Sequence, residues 1–372
     1  MSELQDQIDA ARMQVHTDSY PMSIGELVNL YDDGELDIHP EFQRVYRWSE
    51  EQKSKLIESI ILGIPLPSIF VAQRKDGVWD VVDGLQRIST ILSFMGKLKD
   101  QDDKPVTPLK LLATKYLPAL EGKVWENPHD RESEVDTDIK RVFKREKLDI
   151  KIIKRESEGD TKFELFQRLN TGGSKLSDQE VRNCMLLMLN EDIYTWLKLL
   201  AKNDDFIATT PLSEKQSEEC YNQELALRFI VQRHFSEDVK RAHSDVAPYL
   251  NAEMTRLFRN ASDFNYEHEN QIFVHSFRLL NEALEDNAFK KYNHDKSRYE
   301  GAISLPVFEA LTVGVSSLIE SNMKKDHQIV EIIKEKAQAL TAHEKFVAVL
   351  EKRVRPIERM TIMAELGKEL FT

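Results

Sequence analysis

The chain has 372 residues, two of them cysteine, and its 51 Lys and Arg against 64 Asp and Glu give a net charge of −13. That length supports two domains with cores of their own, so stability needs neither a disulfide framework nor a structural metal. The acidic balance argues against a general nucleic-acid coat protein, and no run approaches the roughly 18–20 uninterrupted apolar residues of a membrane span.

Cys184 and Cys220 lie in polar, helix-like surroundings without metal-ligand spacing, which fits packed thiols in a reducing cytoplasm. The N-terminal run MSELQDQIDAARMQ is polar and amphipathic rather than signal-like. From the N-terminus, Ser23 is placed to cap a helix through Tyr31 that Asp33-Gly34 ends, and Asp37-Ile38 begins an extended segment interrupted by Pro40. Pro40-Glu41-Phe42-Gln43-Arg44, with Tyr46, Arg47 and Trp48, then sets two arginines and a glutamine among aromatics. Such a segment can grip an anion and stack on a base, or it is a loop pinned by Phe42 and Trp48 with arginines on its surface. Ser49 and Gln52 have capping-box spacing, Leu56, Ile57, Ile60 and Ile61 form a buried stripe, and Gly63 with Pro65 stops that helix. Residues 68–73 and 78–83 read as strands joined by a Lys-Asp-Gly turn.

The run Trp79–Phe94, WDVVDGLQRISTILSF, predicts a strand passing directly into a helix. Leu85, Ile88, Ile91, Leu92 and Met95 share one helical face, with Gln86, Arg87, Thr90 and Ser93 opposite. A cation in a helix's first turn is unfavourable, because the dipole and the unpaired N–H groups already make that end positive. Arg87 therefore asks for an anion: Asp83 as a private partner, or a phosphate held at the helix N-terminus with Gly84 letting the backbone approach.

Residues 100–131 are rich in loop formers. Asp138–Arg155 carries eight basic and three acidic residues, either a solvated helix face and strand or a nucleic-acid contact. Lys147–Ile153 alternates as a strand, and a domain boundary is expected near Glu156–Asp160. Beyond it, Phe163, Phe166 and Leu169 mark a helix ended by Asn170-Thr171-Gly172-Gly173, whose glycines either stop the helix or aim N–H groups at a phosphate. Ser177 and Glu180 open the next helix with a polar cluster, Gln179, Glu180, Arg182 and Asn183. Further helices are predicted at 213–234, 247–260, 267–284, 306–320, 327–340, 343–352 and 357–370. Asp326-His327-Gln328-Ile329 faintly echoes the start of a ββα-metal nuclease, but the helix that follows lacks the remaining ligands.

In order and spacing, Pro40–Arg44, Trp48, Leu56–Ile60, Ile64–Pro67, Asp83–Arg87 and Phe166–Asn183 together resemble the GmrSD-type restriction-system N-terminal domain family, over about residues 20–230. The resemblance implies an α+β chain: a small ParB/sulfiredoxin-like mixed α/β domain at 1–158, then a mostly α-helical domain at 159–372, divisible near 235. It further implies nucleotide binding, with hydrolysis, through an Asp-Gly-Gln-Gln-Arg motif that falls here on Asp83–Arg87. Leu85 replaces the first glutamine and shares the apolar face, so binding is better supported than turnover. Asp83, Gln86 and Arg87 would be catalytic, Asp83 would hold Mg²⁺, and Gln43, Arg44, Gly84, Asn170, Gly172 and Gly173 would bind the nucleoside triphosphate. Relatives often carry a His-Asn-His-type nuclease domain. No such pattern is read in this chain, so a separate nuclease or effector protein is expected.

The expected function is a cytoplasmic, nucleotide-binding and NTP-hydrolysing sensor or regulator of an anti-phage restriction system. Two alternatives stay open: a non-enzymatic ParB-like DNA-binding adaptor, and a metal-dependent nuclease acting through Asp83–Arg87. The region after 235 would serve a partner or a homo-oligomer.

Overall fold

Ser23 ends one element and starts the next. It closes β1 (Thr17–Ser23), and its Oγ accepts the Glu26 N–H at 3.2 Å to cap α1 (Ile24–Asp32). The computed structural model describes residues 17–38, 48–74, 76–100, 102–154, 177–259, 264–321, 324–352 and 354–371. Compact units divide between Leu176 and Ser177; the boundary expected at 156–160 falls outside the described residues.

In the first unit β2 (Leu36–Asp37), α2 (Glu50–Ile61), β3 (Ile69–Gln73), β4 (Trp79–Asp83), α3 (Leu85–Phe94), α4 (Thr137–Arg145) and β5 (Lys147–Ile153) follow. The five strands form one sheet in the order β1-β5-β3-β4-β2, with β3 parallel to β5, β2 parallel to β4, and the other two pairs antiparallel. β1 has no counterpart in the sequence reading. It lies at the sheet edge, where Pro21 costs no ladder bond, and over 18–23 Met22 alone is buried.

α2 has the expected capping box, with Ser49 Oγ accepting from Gln52 N and Gln52 Oε1 accepting from Ser49 N. It also organises the loop region that followed no pattern. Ser54 accepts the Leu112 N–H at 3.0 Å, and the buried Glu58 carboxylate accepts those of Tyr116 and Leu117 at 2.9 and 3.0 Å. Burial opposes that charge, but the bonds from Thr114, Tyr116 and Leu117 hold its pKa below the usual value. Phe94, Trp125 and Phe143 meet at 5.4–5.6 Å and close the core.

The second unit is helical: α5 (Asp178–Leu189), α6 (Glu191–Leu200), α7 (Asp204–Thr209), α8 (Glu214–Glu218), α9 (Tyr221–His234), α10 (Glu237–Ala242), α11 (Val246–Phe258) and α12 (Tyr266–Leu284). A small hairpin follows, β6 (Lys291–Asn293) with β7 (Arg298–Glu300), then α13 (Leu305–Ser321), α14 (Asp326–Ala342), α15 (Glu344–Glu351) and α16 (Pro356–Phe371). The α+β class read from the sequence is thus the observed one. The single helix expected over 213–234 is broken at Cys220, whose φ is 57°, and α6, α7, α10 and the hairpin are additions.

Its core is a chain of phenylalanines in which Phe206, Phe229, Phe273 and Phe277 meet at 4.5–5.6 Å, with Phe289 and Phe308 4.8 Å apart. α13 and α16 cross at two glycines: a Cβ on Gly367 would run into the Ala310 backbone, and one on Gly314 would meet Gly367 O at 2.8 Å. Asp326-His327 opens α14, and Asp326 accepts from His275 at 2.9 Å and from Arg278. The helix leaves no nuclease hairpin there.

Candidate nucleotide site at the junction of β4 and α3

Gly84 turns the chain from β4 into α3 with φ 97°. A Cβ there would lie 2.8 Å from Ile69 Cγ1 and 3.2 Å from Arg87 Nη2, so backbone conformation and packing both require glycine. Ser23, Ser49 and Ser177 cap α1, α2 and α5, whereas α3 has no side-chain cap among the described residues. Its N-terminus therefore keeps the positive end of its dipole for an anion.

Arg87 already has partners. Its Nη2 lies 3.0 Å from Asp83 Oδ2, and the same guanidinium donates to Ser68 O at 3.2 Å and to Pro67 O. Its side chain is 11 % exposed against 32 % for Asp83. Burial pushes its pKa down, with Asp83 resisting, yet a guanidinium stays charged at neutral pH. Of the two anions that the first-turn cation asks for, the structure shows the private one. Arg87 thereby ties the 67–68 backbone to the β4 terminus.

Leu85 packs against the hydrophobic core, as its place on the apolar face implied. Gln86 is half-buried, and its carbonyl accepts from Thr90 Oγ1 at 2.7 Å. The polar face expected around Thr90 and Ser93 is corrected by burial: Ser89, Thr90 and Ser93 are all enclosed. Small hydroxyls can enter a core when they bond their own helix's carbonyls, as Thr90 does.

The junction continues across the sheet through residues that no motif marked. Asp149 on β5 accepts from Ser68 Oγ at 2.6 Å and Ser19 Oγ at 3.1 Å, and Lys151 Nζ lies 3.2 Å from it and donates to Ser19 Oγ at 2.8 Å. The Ser68 bond, helped by Lys151 and Ser19, draws the Asp149 pKa below its ordinary value despite burial. Strand alternation is the signal that would have found them, since Leu148 and Ile150 face the core and leave Asp149 and Lys151 on the other side.

Asp83, Gly84, Gln86 and Arg87 are thus brought together. Gln43, Arg44, Asn170, Gly172 and Gly173 lie outside the described residues. The polar cluster Gln179, Glu180, Arg182 and Asn183, read as flanking a turn, is instead buried. Arg182 is fully enclosed, pairs with Glu224 at 2.5 Å and donates to Gln179 Oε1 at 2.8 Å. Glu224 also binds Arg228 at 2.8 Å, and the buried Glu309 binds Arg359 at 2.8 Å. This network fastens α5, α9, α13 and α16 together rather than offering a surface.

The basic stretch is partly neutralised. Lys140 pairs with Glu134, Arg141 with Asp138 and Lys154 with Asp18, while Lys140 and Lys144 lie 5.8 Å over the Trp125 ring. Among the described residues, one group has metal-ligand proximity, His268 with Glu269 and Glu320. There Arg233 already holds Glu269 at 2.8 Å and Glu320 at 2.7 Å, so a cation fills that space. No helix among the described residues is long and apolar enough to cross a membrane.

Residues 24–187, just under half of the chain, match the family model described as GmrSD restriction endonuclease, N-terminal domain. Comparison with curated proteins gave no match.

Proposed function

We propose, from the match of residues 24–187 to the GmrSD restriction endonuclease N-terminal domain, that this protein is the nucleotide-binding component of a restriction-type, anti-phage defence system and works with a separate effector. One observation carries the reading: a glycine in the left-handed region delivers an α-helix N-terminus without a side-chain cap beside Asp83 and Arg87. Phosphate sites are built this way, from N–H groups and a dipole end that need no side chain.

Asp83 meets Arg87 through Oδ2 and is 32 % exposed, which leaves its carboxylate accessible to Mg²⁺. That ion takes one or two carboxylates together with substrate phosphates, so a lone aspartate fits it. Bound there, Mg²⁺ would neutralise charge on the phosphates. Gln86 would be the side chain that orients water, since Leu85 packs against the core. Binding is accordingly the primary activity, and turnover is slow.

Phosphate release from all four nucleoside triphosphates, compared between wild type and Asp83→Asn with the unfolding midpoint as control, tests the assignment. Equal release by two equally folded proteins removes Asp83 from the site. A second reading, a DNA-binding adaptor, draws on the exposed Lys144, Arg145 and Lys147. It requires duplex binding that weakens steeply with salt.

A further inference from the structure

The motif Ile64-Pro65-Leu66-Pro67 borders the candidate site. α2 runs into it through a Schellman motif, in which Gly63, at φ 67°, donates to Ile60 O at 3.1 Å and Ile64 N donates to Ser59 O at 2.9 Å. At the other end Arg87 donates to Pro67 O and, at 3.2 Å, to Ser68 O. Between these ties Pro65 and Pro67 each fix a backbone φ. Residues 62–67 are thus a short strap held at both ends, and Arg87 is the brace that joins it to Asp83.

The strap is apolar, yet of its side chains Leu66 is the one that packs against the core. Leu62 and Ile64 are each 44 % exposed, and Pro65 and Pro67 are exposed beside them. An apolar residue in the place of Ile64 usually packs against the residue three or four places before the helix's end. Here those are Ser59 and Glu58, and the Glu58 carboxylate is committed to the Tyr116 and Leu117 N–H groups. Two side chains less than half exposed fall far short of the roughly 800 Å² per partner that a stable protein interface buries. They do suffice for one face of a flat ring. Three residues of chain span at most about 10 Å, so Ile64 lies within that reach of the Pro67 carbonyl that Arg87 holds, on the scale of the step from a nucleotide's phosphates to its base.

We infer that the 62–67 strap is the shelf that receives the nucleobase, with Ile64 and Leu62 against the ring, while the α3 N-terminus and Asp83 take the phosphates and Mg²⁺. This rests on the nucleotide-binding reading above and adds the base to it. Arg87 keeps its present partners when the ligand enters, because they hold the shelf in place.

Equilibrium binding of ATP, GTP, CTP and UTP to the full chain tests it, with inorganic triphosphate as the probe that lacks a base. Ile64→Ser, Leu62→Ser and Ile64→Val are the variants, and thermal unfolding is the fold control. Losing the apolar contact of one such side chain should weaken the preferred nucleotide about tenfold. Ile64→Val should keep most of the affinity, and inorganic triphosphate should bind all four proteins alike. If wild type binds a nucleotide and the folded Ile64→Ser and Leu62→Ser variants bind it equally well, the strap is not the base site, although the binding reading survives. Equal weakening of nucleotide and inorganic triphosphate overturns the inference too, since the strap then acts on the phosphates. Unchanged nucleotide binding with self-association lost in sedimentation velocity would give the strap to a second copy instead. If wild type binds none of the four nucleotides, the binding reading fails and this inference with it.

Discussion

Arg87→Ala should destabilise the N-terminal unit in the absence of any ligand. The substitution removes a side chain that is 11 % exposed, and leaves Asp83 Oδ2, Ser68 O and Pro67 O without its donors. Hydrogen bonds to charged groups contribute about 1.5–3 kcal/mol, and an abandoned buried acceptor costs about 1–3 kcal/mol. Asp83 is about a third exposed, so water recovers part of this, and the expected net loss is about 2–4 kcal/mol. For a unit of this size that lowers the midpoint by about 5–12 °C. Differential scanning calorimetry of the full chain, following the transition of the N-terminal unit, is the assay. Arg87→Lys should fall between wild type and Arg87→Ala, because an ammonium cannot reproduce the planar fork. A midpoint within about 1 °C of wild type for Arg87→Ala would refute the brace and return Arg87 to service as a free phosphate ligand.

Other consequences are open to the same approach. Gly84→Ala should cost about 2–4 kcal/mol in urea unfolding, from a left-handed backbone angle and a Cβ 2.8 Å from Ile69 Cγ1; an unchanged midpoint would contradict the turn geometry. Gly367→Ala should destabilise the helical unit by about 3 kcal/mol or more, because the new methyl meets Ala310 backbone that cannot rotate away. Near-wild-type stability would mean that α13 and α16 do not cross there. Although burial opposes it, hydrogen bonds from His234 and Arg233 hold Glu269 down to about 2. A carboxylate depressed in this way stabilises the fold above its unfolded pKa, and that stability is lost as pH falls through the folded value. The helical unit should therefore lose about 3 kcal/mol between roughly pH 4.5 and 2 on this account, and Glu269→Gln should flatten that part of the stability–pH curve. An identical curve for the variant would exclude Glu269 as the source.

Much of the fold was legible where its signals are local. Ser49 with Gln52 and Ser177 with Glu180 formed the capping boxes their spacing implied, and β3, β4 and α3 fell within a residue or so of their expected limits. What failed depends on distant partners. β1 exists because β5 offers it an edge, and its own residues, with Pro21 among them, carry no strand pattern. The Gln179–Asn183 cluster read as a polar group flanking the turn before its helix, with nothing local to mark it as buried. Its burial depends on Glu224 and Asn251, which lie 42 and 69 residues away from Arg182. Cys220 has no turn signature, yet its positive φ splits a helical run. At the candidate site, Asp83–Arg87 was visible as a motif, but Ser68, Asp149 and Lys151 became neighbours only through register.

The most direct measurement is equilibrium binding of the four nucleoside triphosphates, with Mg²⁺, to wild type and to Asp83→Asn by isothermal titration calorimetry. Saturable binding of at least one triphosphate to wild type, weakened about tenfold or more by Asp83→Asn at an unchanged fold, is the predicted result. No saturable binding of any triphosphate up to about 1 mM, the level of a binding free energy near −4 kcal/mol, would contradict the account.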